Sequence, residues 1–170
     1  QAIFPDNAYG VDSGGDPEAI PDLTFDYFKG FHQKFYHPGN SRVYFYGDDP
    51  PLQRLELLDG YLSEFDSTVD PNASQVKWQS KKLNPWKVSD EFPAGEDSKD
   101  KHMVSVNWLL NDRPLSTKDA LVLDILDDLL VGNSAATLRK ALTDSGLGDS
   151  VIGGGLSGEL LQNTYSIGLK

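Results

Sequence analysis

A run of large apolar side chains between residues 121 and 130 restricts the fold of this chain more than any other feature. The run recurs at helical spacing and comprises Leu121, Val122, Ile125, Leu126, Leu129 and Leu130. Just ahead of it, Ser116 and Asp119 have the three-residue spacing of a capping box, which begins a helix. The segment therefore predicts a capped helix with a broad apolar face.

The residues before this helix predict strands. Side chains from Met103 to Leu110 alternate with a period of two, which is typical of a β-strand. Lys87 to Phe92 is a candidate edge strand that would pair with this segment. Pro93, Ala94 and Gly95 lie between the two and break any regular element.

The residues after the helix predict a second helix and a last strand. A turn at residues 132–133 leads to Ser134, the expected N-cap of that helix, and Gly146 ends it. A glycine-rich loop through Gly153–Gly155 then precedes a strand from Asn163 to Leu169. The second half of the chain is thus predicted to be strand, helix, helix, strand.

The first half predicts helix, strand, helix. Thr24 can cap a helix that runs to about Tyr36. The core face of that helix is predicted to consist of Leu23, Phe28, Phe31 and Phe35. Arg42 to Tyr46 is a short aromatic and β-branched run typical of a strand. Asp48 or Asp49 would then cap a helix whose apolar residues recur from Leu52 to Phe65.

Together these patterns predict an α/β protein built of α+β layers. Between residues 67 and 100 the composition shifts to Pro, Ser, Asn and mixed charge, which is typical of a linker. We therefore expect residues 1–66 to belong to one domain and residues 101–170 to a second. A chain of 170 residues is long enough to bury a core.

Charge and composition exclude several functions. The chain has 26 acidic and 15 basic residues, a net charge of −11, which argues against binding to the phosphates of nucleic acid. The acidity favours cationic partners, or it only keeps the chain in solution. The absence of cysteine excludes disulfides and thiolate metal ligands. No apolar run reaches membrane length, so we predict no membrane insertion.

The sequence predicts no catalytic, metal-binding or cofactor-binding residue. His32 and His37 lie five residues apart, so they diverge around a helix, and His102 has no ligand partner nearby in the sequence. His37 is expected to face the C-terminal dipole of a helix instead. The serines at 134 and 157 lack the context of a nucleophile elbow, and the glycines near residue 150 lack that of a nucleotide loop.

Four longer motifs resemble those of one family. They are Asn7 to Pro17, Tyr36 to Asp48, Lys101 to Leu110 and Ser145 to Gly148. In this order, and over nearly the whole chain, they resemble the presequence protease branch of the pitrilysin/insulinase-type zinc metallopeptidases. The His-x-x-Glu-His motif that binds zinc in that family does not occur in this sequence. By the resemblance it would lie upstream of Gln1.

The resemblance implies a function for a larger polypeptide. Presequence proteases are organellar zinc oligopeptidases that degrade cleaved targeting peptides in a closed chamber, in the mitochondrial matrix or chloroplast stroma. This chain would span the end of the first domain and the start of the second and form chamber wall, without activity or bound zinc of its own. Its partners would be the remainder of the peptidase and basic unfolded peptides. The alternative is a stand-alone, non-catalytic homologue that acts as a scaffold or peptide-binding module.

Six residues are candidates for lining the substrate path. Asn107 and Trp108 lie on the predicted strand, and Gly153, Gly154, Gly155 and Ser157 lie in the predicted glycine-rich loop. A purely structural role explains each of them about as well, so the sequence leaves both roles open.

Overall fold

The computed structural model describes residues 2–66, 70, 72–95, 99 and 101–170, and the chain divides into two units. One unit is residues 12–76, and the other is residues 1–11 with 77–170. The helices and strands are α1 (Phe25–Phe35), α2 (Pro51–Leu62), β1 (Val104–Leu109), α3 (Thr117–Val131), α4 (Thr137–Asp144), β2 (Val151–Ser157) and β3 (Thr164–Leu169). This mixed α/β composition confirms the predicted fold class.

In the unit of residues 12–76, helix α1 begins where the sequence predicts. Thr24 Oγ1 accepts a hydrogen bond from Tyr27 N at 3.2 Å and caps the helix. The predicted core face was wrong, because Leu23, Phe28 and Phe31 are exposed and Phe35 is half-buried. Apolar periodicity identifies the side that a helix can bury, but it does not supply the surface that covers that side.

Two further predictions for this unit were wrong. Arg42 to Tyr46 is irregular, because a strand needs a neighbour for its backbone groups and none pairs with it among the described residues. The N-cap of α2 is Pro50, which offers no side-chain acceptor. Asp49 instead forms an ion pair with Arg54.

The other unit contains an antiparallel sheet in the order β1-β3-β2. β1 pairs with β3 from Val104↔Leu169 to Leu109↔Thr164. β2 pairs with the opposite side of β3 from Val151↔Leu169 to Ser157↔Thr164. The central position of β3 explains why its Ile167 is buried.

Two predictions about strands in this unit were wrong. The glycine-rich segment Gly153–Gly155 is part of strand β2, where a register shift between Ile152 and Gly155 forms a bulge. Lys87 to Phe92 is irregular and does not pair with β1. Glycines can occur within a strand where a bulge requires their backbone angles. Composition alone does not distinguish such a strand from a glycine-rich loop.

Helix α3 has the predicted cap and packs against β2. Ser116 Oγ accepts a hydrogen bond from Asp119 N at 3.1 Å and donates one to Asp119 Oδ2 at 2.7 Å. On the sheet side of the helix, Asp127 Oδ1 accepts a hydrogen bond from Leu156 N at 3.0 Å, and Val131 is buried.

The apolar run of α3 is only partly covered. The exposed members are Leu121, Val122, Ile125, Leu126 and Leu129, and Leu130 is half-buried. Among the described residues, the broad apolar face is therefore mostly exposed. The helix is apolar on more than one side, and the three-stranded sheet covers only the side that carries Asp127 and Val131.

Helix α4 begins later than predicted. Its N-cap is Ala136, so Ser134 lies in the preceding turn and does not cap the helix. In that turn Asn133 Oδ1 accepts a hydrogen bond from Ala135 N at 2.9 Å. The helix ends at Asp144, two residues before Gly146, near the predicted end.

A buried group of three amide side chains, Gln79, Asn111 and Gln162, joins distant parts of this unit; we call it the amide cluster. Gln162 Oε1 accepts a hydrogen bond from Gln79 N at 2.6 Å, and Gln162 Nε2 donates to Gln79 O at 3.0 Å and to Asn111 O at 2.8 Å. Asn111 Oδ1 accepts from Asn163 N at 2.7 Å, and Gln79 Oε1 accepts from Asp6 N at 2.9 Å. The cluster therefore links four segments that are far apart in sequence.

Candidate functional site

The six candidate lining residues lie on the two outer strands of the sheet. Asn107 and Trp108 are on β1, whereas Gly153, Gly154, Gly155 and Ser157 are on β2. Strand β3 lies between them, so the two groups are about 10 Å apart, twice the spacing of neighbouring strands. No local pattern in the sequence indicates this separation.

The pairing register shows which of these residues share a face. Asn107 lies opposite Ser166, and Ser166 lies opposite Gly155. Ser157 lies opposite Thr164, which in turn lies opposite Leu109. Because alternate residues of a regular strand point to the same face, Asn107 and Ser166 belong to one side of the sheet, together with Ser157 and Thr164. Gly155 lies at the bulge, where this alternation does not hold, and a Cβ there would point to Asp127 of α3.

Trp108 belongs to the other face. Its ring contacts the ring of its cross-strand partner Tyr165 edge-on, with centroids 5.9 Å apart. Ile167 and the Tyr165 hydroxyl, which belong to the same side of β3, are buried, so this face is the one on which the helices pack. Asn107 and Trp108 therefore do not form one site.

The face opposite the helices carries hydroxyl and amide groups, and we call Ser105, Asn107, Ser157, Thr164 and Ser166 the polar sheet face. Asn107 Nδ2 donates a hydrogen bond to Ser105 Oγ at 3.0 Å. Ser105, Asn107 and Ser157 are exposed. The sequence prediction missed Ser105, Thr164 and Ser166, although the two-residue alternation within each strand was a usable signal.

The three glycines of β2 have different environments. A Cβ at Gly153 would lie 2.5 Å from Ser166 O, and one at Gly155 would overlap Asp127 Oδ1. A Cβ at Gly154 would meet nothing within 4 Å. Close approach of other atoms therefore explains two of the glycines, and only Gly154 has free space in front of it.

Burial raises the pKa of Tyr165, and the negative charge of Asp127 raises it further, whereas Arg139 acts in the opposite direction. Tyr165 Oη is buried and has no hydrogen-bond partner among the described residues. Because the pKa is higher in the folded state than in the unfolded state, this group does not affect the pH dependence of stability below about pH 10 and destabilises the fold above it.

We expect Tyr165→Phe to leave stability unchanged or to raise it by up to about 1 kcal/mol at pH 8, because it removes a buried hydroxyl without a partner. The advantage of the variant should grow above about pH 10, where ionisation of Tyr165 opposes folding. Urea unfolding of both proteins at pH 8 and in the alkaline range measures this. A variant that is less stable by more than about 1 kcal/mol at pH 8 would show that the hydroxyl has a partner.

The histidines occupy separate structural positions. His32 stacks on Tyr36 with ring centroids 4.9 Å apart, and His37 contacts the Phe65 ring edge-on. His37 Nδ1 accepts a hydrogen bond from Gly39 N at 3.0 Å and caps the short turn Pro38–Asn40. Nδ1 of His37 is therefore engaged in the turn that follows α1, and the expected role of His37 at the C-terminal dipole of the helix stays a prediction.

Over residues 2–66, 72–95 and 101–170, no three His, Asp or Glu side chains gather where they could hold a metal ion. The described helices also include none that is long and apolar enough to cross a membrane. An uncharged polar sheet face, backed by two helices, defines an α/β segment that offers a surface for hydrogen bonding.

Comparison with known proteins identifies the family. A family model described as the Peptidase M16 inactive domain matches residues 22–170, and the chain belongs to the M16 peptidase family. It is 50% identical over 172 residues to presequence protease 1, chloroplastic/mitochondrial, of Arabidopsis thaliana, covering 100% of this chain and 16% of that protein. These matches confirm the predicted resemblance to presequence proteases.

More distant relatives match in the same way. The mitochondrial presequence protease of Xenopus laevis is 36% identical over 176 residues, covering 99% of this chain and 17% of that protein. Protein HypA of Clostridium perfringens is 36% identical over 156 residues, covering 90% of this chain and 16% of that protein. The chain therefore spans about one sixth of the length of these relatives.

Proposed function

We propose that this chain is a segment of an organellar zinc oligopeptidase that degrades cleaved targeting peptides and other short unfolded peptides. The observation that carries the proposal is the 50% identity over the whole chain to a presequence protease six times as long. The names of the relatives support a location in mitochondria or chloroplasts.

Within that enzyme, we assign this chain to the wall of the peptide chamber. Residues 1–66 would end the first domain, residues 67–100 would form a linker, and residues 101–170 would begin the second domain. The polar sheet face supports a substrate-lining role, because its exposed hydroxyl and amide groups can both donate and accept hydrogen bonds. Such groups suit the backbone of an unfolded peptide, which has the same donors and acceptors at every residue.

The described residues do not fit a zinc site. The ring of His32 is stacked on Tyr36, and His37 Nδ1 is occupied by a backbone hydrogen bond. No cluster of three ligating side chains includes His102 within the described part of the chain. In the proposed enzyme the zinc and the catalytic groups are therefore supplied by residues outside this chain, and no catalytic step is assigned to residues 1–170.

The size of the native polypeptide tests this proposal. An antibody raised against the chain should detect, in organelle extracts, a band roughly six times heavier than 18.7 kDa, because 172 residues are 16% of the matched relative. Immunoprecipitated material should cleave a targeting peptide, and a zinc chelator should abolish cleavage. A native band at 18.7 kDa would instead establish the stand-alone, non-catalytic homologue.

The acidity of the chain is concentrated in one unit. Residues 12–76 contain 12 acidic and 4 basic side chains, a net charge of −8, whereas the rest of the chain contributes −3 of the total −11. A surface of this charge should attract Arg-rich peptides through interactions that salt screens.

We therefore expect the affinity of the native polypeptide for an Arg-rich amphipathic peptide to fall roughly tenfold between about 50 and 300 mM salt. Fluorescence anisotropy of a labelled peptide measures this. A control peptide with glutamine in place of arginine should bind more weakly at low salt and show little salt dependence. An affinity for the basic peptide that does not change with salt would contradict an electrostatic role for the acidic surface.

A further inference from the structure

The two edges of the sheet differ in how their backbone groups are satisfied. At the β2 edge, the outward N–H of Leu156 donates to Asp127 Oδ1 at 3.0 Å. The same edge is bent by the register shift between Ile152 and Gly155, and Gly153 and Gly155 have φ of 91° and 68°. A bulged edge covered by a side chain cannot accept another strand, so β2 closes this side of the sheet.

The edge of β1 has none of these features. Leu110 N donates to Asn163 O at 2.9 Å, which shows which backbone groups of this segment point toward β3. Along an antiparallel strand, the backbone N–H and C=O groups of successive residues point alternately toward and away from the neighbouring strand. Those of Ser105, Asn107 and Leu109 therefore point away from β3 and from the sheet. No strand pairs with them among the described residues.

The side chains of β1 are also incompletely covered. Val104, Val106 and Trp108, on the helix-facing side of the strand, are 70%, 52% and 46% exposed. β1 has no charged residue, proline or bulge, which are the devices that usually prevent an edge strand from pairing. A regular, uncharged edge beside three exposed apolar side chains is suited to pairing with another strand.

We propose that β1 pairs along this edge with a β-strand from the part of the polypeptide that lies outside residues 1–170. The relatives that match this chain are about six times as long, so most of such a polypeptide is available to supply the strand. A permanent neighbour is favoured over a bound peptide, because an empty peptide site would leave three large apolar side chains in water. The inference rests on the proposed membership in a longer polypeptide, and it does not depend on peptidase activity.

Hydrogen exchange of the native polypeptide and of the isolated 170-residue chain tests this pairing. In the isolated chain, the amides of Ser105, Asn107 and Leu109 should exchange rapidly while those of Val106 and Trp108 are protected by β3. In the native polypeptide, the three outward amides should exchange at least about tenfold more slowly.

Four results would overturn the proposal. Outward amides that remain unprotected in the native polypeptide would show that no strand pairs there. Protection in the isolated monomer would mean that a segment of this chain, for example residues 87–92, pairs with the β1 edge. Protection only in a dimer would mean that a second copy pairs with it. Protection that requires an added targeting peptide would assign it to a substrate. A polypeptide that shows the protection but cleaves no peptide would refute the proposed function alone.

A pair of substitutions at Asn107 separates backbone pairing from the side chain. Asn107→Pro removes an outward N–H that β3 does not use, whereas Asn107→Val keeps it; both remove the amide side chain. Asn107→Pro should leave the protection of Val106 and Trp108 in the isolated chain unchanged but should make the Leu109 amide of the native polypeptide exchange at least about tenfold faster. Asn107→Val should do neither, and equal effects of both variants in the native polypeptide would contradict strand addition.

Discussion

Replacement of Gln162 with alanine should lower the free energy of unfolding of the sheet-containing unit by about 3 kcal/mol or more. Gln162 is 1% exposed, and its side-chain amide pairs with both the N–H and the C=O of Gln79 and also with Asn111 O. The substitution leaves these three backbone groups buried without partners, and each unsatisfied buried group costs about 1 to 3 kcal/mol.

Urea unfolding followed by tryptophan fluorescence measures this loss. Trp78, Trp86 and Trp108 all lie in residues 77–170, so the signal reports on the unit that contains the amide cluster. Glu159→Ala is the control, because Glu159 is exposed in the same β2–β3 connection and should change stability by less than about 0.5 kcal/mol. Similar stabilities of the two variants would mean that water replaces the amide group without cost.

Gly155→Ala should destabilise the same unit by about 2 to 4 kcal/mol, since strain and overpacking act together. The φ of Gly155 is 68°, a value that L side chains rarely adopt. A Cβ there would overlap the Asp127 carboxylate and lie 2.9 Å from Val131 Cγ2. To relieve this overlap α3 must move away from β2, and the hydrogen bond from Leu156 N to Asp127 would be lost.

The neighbouring Gly154 provides a matched control. A Cβ at Gly154 would meet nothing within 4 Å, so Gly154→Ala should change the free energy of unfolding by less than about 1 kcal/mol in the same assay. If the two alanine variants were equally stable, the bulge would be able to adopt another conformation. Equal and large losses in both would mean that β2 needs glycine for flexibility rather than for space.

Local sequence patterns located the helices well. Thr24 and Ser116 are the caps of α1 and α3 because the capping interaction involves only residues within one turn of each other. Alternation likewise located β1, and a strand was also predicted at β3, although each strand is shorter than predicted. Boundaries that depend on weaker signals were wrong, as at Ser134 and at Asp48 and Asp49, where turn geometry and a proline decided the start of the helix.

The candidate site was only partly predictable. The sequence indicated Asn107 and Ser157, which do share the polar sheet face, but it grouped them with Trp108, whose side chain is on the helix-facing side. Cross-strand partners such as Ser166 were missed, because a register is set by pairing between segments about 60 residues apart. The Gln79–Gln162 contact was invisible for the same reason, since glutamine is ordinarily a surface residue.

The sequence by itself determined the family, the mixed α/β class, the caps of α1 and α3 and the acidic character of residues 12–76. These properties depend on ordered motifs, on composition or on contacts within one helical turn. Only the tertiary structure decided that Gly153–Gly155 form a bulged strand, that β1 retains an open edge and that three amides join distant segments. Strand pairing and burial depend on contacts between backbone and side-chain groups that are far apart in the sequence, and no local pattern specifies these contacts.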